Sequence, residues 1–167
     1  MRAKTLLVVL AALVICASVG LTEDKPWFDL KTCAFCKSFD MGDGEYLVDH
    51  MKAVYHIMPD GFLSIMTIED DYKDEFEAAS MEMQKVGEEM EKTGTMPQMC
   101  GHCTKYGELL ARGAKSQEFN SDVAWAYMMT SDDPDLVKEL HAFAEKNNAE
   151  MKKWDEHHST KMEEGGK

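Results

Sequence analysis

The segment FLSIMTIEDDYKDEF, residues 62–76, joins a run of apolar and β-branched residues to the acidic start of an amphipathic helix. Such runs favour a strand, and the two aspartates that follow are typical of a helix start. The pattern recurs in VAWAYMMTSDDPDLV, residues 123–137, where Pro134 suits a first helical turn. The sequence therefore predicts the same strand-then-helix unit twice.

A hairpin is predicted around each of these strands. The turn signal PDG, residues 59–61, separates the runs 53–58 and 62–69, and NSD, residues 120–122, precedes the second strong strand. Each following helix has an apolar stripe with steps of three and four residues. The stripe of the first helix is Tyr72, Phe76, Ala79, Met83, Val86 and Met90. That of the last helix is Leu136, Leu140, Phe143, Asn147, Met151 and Trp154.

A cysteine pair precedes each hairpin. The first pair lies in a predicted helix over residues 27–39, which Asp29 caps. The second lies in a helix expected to begin near Pro97, with Thr95 or Met96 as the cap, and to stop at Gly113. Both pairs have two intervening residues, so their thiols would share one helix face.

These signals predict an α+β fold. Two pseudo-symmetric α-β-β-α repeats, residues 27–94 and 95–154, would form a four-stranded antiparallel sheet with helices packed on one face. A single domain over residues 21–154 is long enough to bury a sizeable core. Residues 155–167 are predicted to be a flexible tail.

The first 20 residues are typical of a signal peptide. Arg2 and Lys4 precede a short apolar run that ends in small residues, which predicts export to the periplasm or the extracellular space. The run is too short to span a membrane comfortably. A lipid anchor at Cys16 is possible but not favoured, because Ile15 stands where a small residue is expected.

The charge balance limits the partners. The chain has 18 basic and 31 acidic residues, and removing Arg2 and Lys4 leaves 16 basic residues, a net charge of −15. An overall field of this sign opposes binding to nucleic acid or anionic lipid. The partner, a protein or a small molecule, is not identified by the sequence.

Four cysteines remain once the predicted leader is removed: Cys33, Cys36, Cys100 and Cys103. Pseudo-symmetry would bring them together, and four thiolates can complete the tetrahedral shell of a structural zinc ion. Cu(I) is a less favoured ion, suggested by the 14 methionines. No haem is expected, since Lys37 and Thr104 stand where CxxCH requires histidine.

Disulfides are the alternative use of the same four thiols. An exported chain enters an oxidising compartment, where cysteines pair. Bonds between the two pairs would tie the halves together, whereas bonds within each pair would not. Four cysteines allow three connectivities, and the sequence leaves these open.

The tetrapeptide CGHC, residues 100–103, resembles the active site of protein disulfide isomerases of the thioredoxin family. The resemblance implies thiol–disulfide exchange by Cys100 and Cys103, with His102 making the disulfide more oxidising. A thioredoxin fold also needs a strand directly before this motif. Here a long predicted helix and KTGTMPQ, residues 92–98, precede it, so the fold does not follow.

The sequence shows no catalytic constellation such as a nucleophile elbow or a phosphate-binding glycine loop. We therefore predict an exported, non-enzymatic, small metal-binding protein with a zinc-type site of four cysteines. The alternatives are a disulfide-stabilised secreted binding module and, less favoured, a thiol–disulfide oxidoreductase.

Overall fold

The computed structural model describes residues 25–121 and 124–165. The predicted signal peptide and Cys16 lie outside the described residues. The strands are β1 (Asp40–Gly42), β2 (Glu45–Tyr46), β3 (Met51–Met58), β4 (Gly61–Ile68), β5 (Lys115–Asn120) and β6 (Trp125–Thr130). The α-helices are α1 (Lys73–Thr93), α2 (Gly101–Ala111) and α3 (Pro134–Gly165). Short 3₁₀ helices occupy Cys36–Phe39, Leu47–His50 and Asp70–Tyr72.

The main sheet has the strand order β3-β4-β6-β5, with every neighbouring pair antiparallel. Each predicted hairpin is present, and the two hairpins join through β4 and β6, where Ser64 is opposite Tyr127. This confirms the predicted four-stranded antiparallel sheet of a mixed α+β fold. The pseudo-symmetric repeat stays a prediction.

One face of the sheet carries the hydrophobic core, because side chains alternate along each strand. On β4 and β6, Phe62 and Met129 are fully buried and pack with Leu140 of α3 and Leu109 of α2. At the other end of this face, Phe76 of α1 lies 4.4 Å, ring to ring, from Trp125. The contacts of all three helices with the sheet are therefore made on this face.

Helix α3 links the sheet to the cysteine-bearing segments. Its first turns bury Leu136, Leu140 and Phe143 in the core, and Trp154 packs further along against the residues around the cysteines. The helix continues through residues 155–165, which the sequence assigned to a flexible tail. The Lys152–Glu156 ion pair, four residues apart, lies on this last part of the helix.

Helix α3 forms hydrogen bonds with the outer edge of β3 at Tyr55. The backbone N–H of Tyr55 donates to Oδ1 of Asn148 at 2.9 Å, and Nδ2 of Asn148 donates to the Tyr55 carbonyl at 2.8 Å. The side-chain amide thus replaces a neighbouring strand, which satisfies backbone groups that an edge otherwise leaves open.

The first cysteine segment differs from its predicted helix over residues 27–39. It consists of turns followed by the 3₁₀ helix Cys36–Phe39, and the unpredicted hairpin of β1 and β2 comes next. Asp29 does cap, but it caps a turn: its Oδ1 accepts the N–H groups of Lys31 and Thr32. A tertiary bond from Ala34 N–H to the Gln98 carbonyl, 2.8 Å, holds this irregular backbone.

Glycine is required at position 61, where β4 pairs with β6. A Cβ at this position would lie 1.9 Å from the backbone oxygen of Met129, which the strand pairing prevents from moving away. We expect Gly61→Ala to lower the free energy of unfolding by about 2–3 kcal/mol, the cost of overpacking. Urea unfolding followed by circular dichroism measures this loss.

Gly87, in α1, is the matched control. A Cβ there meets nothing within 4 Å, so Gly87→Ala should stabilise the chain by about 0.5–1 kcal/mol through helix propensity. Equal effects of the two substitutions would contradict the steric account.

Candidate metal centre

The two cysteine pairs meet between the first segment and the start of α2. Cys33 lies among the turns of the first segment and Cys36 begins its 3₁₀ helix, whereas Cys100 is the N-cap of α2 and Cys103 lies in its first turn. The Ala34–Gln98 backbone bond joins the segments, and Nε2 of Gln98 also donates to Oγ1 of Thr32 at 2.9 Å. The predicted convergence of the four thiols is confirmed.

The four Sγ atoms all lie within 4.8 Å of one another. Sγ of Cys36 is 3.5 Å from Sγ of Cys103 and 3.6 Å from Sγ of Cys100. A zinc ion bound by four sulfurs at about 2.3 Å requires tetrahedral sulfur–sulfur edges of about 3.8 Å. A disulfide requires about 2.05 Å, and all four of these described cysteines are free thiols. The spacing fits four ligands of one metal ion.

Each CxxC motif makes the same internal contact. The backbone N–H of Cys36 donates to Sγ of Cys33, and that of Cys103 donates to Sγ of Cys100. N–H donors of this kind stabilise a thiolate and orient it. Both motifs therefore present their leading sulfur as the better anion.

The thiol pKa values follow this asymmetry. A hydrogen bond from Cys100 lowers the pKa of Cys33, and a hydrogen bond from Cys103 lowers the pKa of Cys100 to about 7. The pKa values of Cys36 and Cys103 are raised, foremost because each donates its S–H to Cys100. Without a cation, four sulfurs this close cannot all ionise, so the site favours binding a positive ion.

The surroundings of the sulfurs are apolar. Cys33, Cys36 and Cys100 are buried, while Cys103 is partly exposed. The residues packed around them are Leu30, Phe35, Phe39, Tyr46, Val48, Met99 and Trp154. An apolar shell around three buried thiols and one partly exposed thiol admits little water, which is typical of a structural metal site.

The two residues between Cys100 and Cys103 attach the start of α2 to residues 26 and 27 by hydrogen bonds. The N–H groups of Gly101 and His102 donate to the carbonyls of Pro26 and Trp27 at 3.0 and 2.9 Å. A Cβ on Gly101 would lie 3.1 Å from the Trp27 ring. The start of α2 is therefore fastened to the beginning of the domain, which fixes the direction of both thiols.

His102 belongs to a buried polar network. Its Nδ1 lies 2.8 Å from Oδ1 of Asn147, which also accepts from Nε1 of Trp27 at 2.9 Å. Burial lowers the pKa of His102. Because the amide oxygen of Asn147 can only accept, Nδ1 of His102 is the donor in this bond. Sequence reasoning placed Asn147 on the apolar stripe of α3 without assigning it a partner. A lone polar residue in an apolar stripe is the sequence signal for such a buried hydrogen-bond network.

Replacing Asn147 by leucine should destabilise the chain. Two buried donors, on Trp27 and His102, would lose their acceptor, at a cost of about 2–4 kcal/mol in unfolding free energy. Thermal or urea unfolding measures this. The double variant Asn147→Leu/His102→Phe should lose less than the sum of the single losses, since one orphaned donor is gone. Strict additivity would refute the network.

Within the part of the chain that the structure describes, no helix combines the length and apolar content needed to cross a membrane.

No protein-family model, curated protein or solved structure matches this chain. The chemistry of the cysteine cluster is therefore the basis for a functional assignment.

Proposed function

We propose that this chain is an exported, non-enzymatic protein that binds one zinc-type ion through Cys33, Cys36, Cys100 and Cys103. The observation that supports the proposal most is the separation of the four sulfurs, all within 4.8 Å. Four thiolates around one ion leave no open position for a substrate or water, so the ion would stabilise the fold. Export rests on the leader-like residues 1–20.

Zinc is preferred over Cu(I) because of the ligand set. Four sulfurs in a closed group suit a tetrahedral ion, whereas Cu(I) favours fewer soft ligands. Met99 packs beside the cysteines, but the four thiols already provide a full shell. Methionines Met81 and Met96 are exposed.

A duplicated origin of the halves 27–94 and 95–154 is part of the proposal. The matching N–H to sulfur contacts within the two CxxC motifs support it. The meeting of the two hairpins at β4 and β6 also agrees with it.

Thiol–disulfide chemistry is the second candidate, in which the four cysteines form bonds with one another or with a partner. The 3.5 Å approach of the partly exposed Cys103 to Cys36 favours it. Against catalytic exchange, α1 rather than a strand precedes the CGHC motif, and His102 is hydrogen-bonded to Asn147.

The proposal is tested by metal analysis of protein expressed with its own leader into the periplasm. We expect one zinc per chain, and titration of the metal-free protein with Co(II) should give the visible spectrum of tetrahedral thiolate coordination. Protein without metal, and without free thiols after denaturation, would refute the metal proposal and favour disulfides.

Zinc affinity should fall steeply as the pH falls. Binding needs all four thiolates, so protons compete with zinc. Cys36 and Cys103, whose pKa values are raised, must each release a proton when zinc binds near neutral pH. We expect the Kd for zinc to weaken by about 100-fold per unit of pH between pH 8 and pH 7, tenfold for each of these protons. Competition with a chelator in buffered solution measures it, and a pH-independent Kd would contradict the ligand set.

A further inference from the structure

The sheet has a second face that no described helix covers. It is made of the side chains that point away from the core, and its central apolar members are Val54, Leu63, Ile65, Phe119, Ala126 and Met128. We call these six residues the outer sheet face. Val54, Ile65 and Phe119 are 48, 37 and 45 % exposed.

The outer sheet face is continuous across all four strands. Val54 is opposite Ile65, which is opposite Ala126, which in turn is opposite Phe119. In the next row, Leu63 lies between His56 and Met128. Cross-strand neighbours stand about 5 Å apart, so these side chains form one patch instead of scattered exposed residues.

The charges around this patch are unusual for so acidic a chain. Of the described strand residues that point to this side, none is acidic, although the chain holds 31 acidic residues. Among the described strand residues on this side, the lysines are Lys52, near the start of β3, and Lys115, at the start of β5. Because β3 and β5 run in opposite directions, these lysines stand at diagonal corners.

We propose that the outer sheet face binds a second copy of this chain, forming a twofold symmetric sandwich of two sheets. A twofold axis that lies in the plane of the interface exchanges the two edges of the sheet or its two ends. Each lysine of one copy then faces a corner that has no lysine in the other. With the axis that exchanges the two edges, Lys52 would approach Phe119 of the second copy, where its apolar stem and its ammonium group can both pack on the ring.

The available area supports a reversible dimer. Four strands spaced about 4.8 Å apart, each with about six residues of 3.4 Å rise, give a face of roughly 400 Å². Two copies would then bury roughly 800 Å² in total, which is the size range of weak, transient interfaces. An area of this size fits a weak dimer that forms at high protein concentration and dissociates on dilution.

The apolar character of the face also sets the response to salt. Two copies of the secreted chain, each with a net charge of −15, repel one another at long range. Since the interface contains no pair of opposite charges, salt screens this repulsion without breaking an ion pair between the copies. Dimerisation should therefore strengthen as the ionic strength rises.

Sedimentation equilibrium on the whole secreted chain, over about a hundredfold range of concentration, tests the proposal. We expect the average mass to rise from one chain to two, and more readily at higher salt. Ile65→Lys should weaken the dimer at least about 30-fold, the loss typical of a central interface residue, with an unchanged circular dichroism spectrum. Phe119→Lys provides a second disrupting variant.

Met81→Lys is the matched control, because Met81 is an exposed apolar residue of α1, 57 % exposed and distant in the fold from the outer sheet face. It should leave the dimer constant unchanged. A chain that stays monomeric at all concentrations, or a dimer that Met81→Lys weakens and Ile65→Lys does not, would overturn the proposal. Both outcomes are independent of metal content, so they differ from failure of the zinc assignment.

Discussion

A Cys33→Ser variant should bind zinc at least about 1,000-fold more weakly than the unsubstituted chain, because one corner of a closed tetrahedral shell is lost. Cys33 is fully buried, and its Sγ accepts the N–H of Cys36. Serine retains the approximate shape but not the soft anionic sulfur. With zinc at 1,000 times the Kd of the unsubstituted chain, the variant would also lose about 4 kcal/mol of ligand-linked stability.

Isothermal titration with a competing chelator gives the change in affinity, and thermal unfolding with and without zinc gives the linked stability. Met99→Leu is the matched control, since Met99 packs against the cysteines without being one of the four proposed ligands. It should retain nearly full zinc affinity. If Met99→Leu abolished metal binding while Cys33→Ser did not, a thioether would be a ligand and the four-thiolate site would be wrong.

Oxidation of the metal-free chain should form a disulfide between the two pairs, joining Cys36 to Cys103. Their sulfurs are 3.5 Å apart, and Cys103 is the partly exposed member of the cluster. Because Cys103 is the accessible sulfur, a small disulfide such as oxidised glutathione would react there once the thiol has lost its proton to solvent. The Cys103 thiolate forms a mixed disulfide, and one glutathione thiolate leaves. Cys36 would then displace the second and complete the bond. This disulfide would join residues 67 positions apart in the sequence. In the chain-entropy model, a crosslink of that loop length should raise the unfolding free energy by about 4 kcal/mol.

Peptide mapping without reduction identifies the bond, and denaturant unfolding measures the gain in stability. Zinc binding should be lost in the oxidised chain and return on reduction. Cys36→Ser should not form this bond between the two pairs and should leave the mixed disulfide on Cys103 to be resolved by Cys100, whereas Cys100→Ser should still form Cys36–Cys103. In the unsubstituted chain, bonds confined to each pair, Cys33–Cys36 and Cys100–Cys103, would contradict this geometry.

Much of the fold follows from local pattern. The turn at residues 59–61 and the runs beside it predicted the hairpin of β3 and β4, because period-two burial and turn chemistry are local properties. The stripe of α1 and its end at Gly94, whose φ is +65°, were likewise readable from the sequence. The first cysteine segment was not, because its backbone is held by Gln98, 64 residues after Ala34.

The sequence by itself determined that four thiols would come from two equally spaced pairs in a mixed α+β domain. The two CxxC motifs and the repeated strand-then-helix pattern predict this. Only the tertiary structure decided which sulfurs are neighbours. Cys36 faces Cys100 and Cys103 across the two segments, and Gly101 and His102 pack on Trp27 and Asn147. Contacts between residues so far apart depend on how the helices dock on the sheet, and local sequence preferences do not encode that docking.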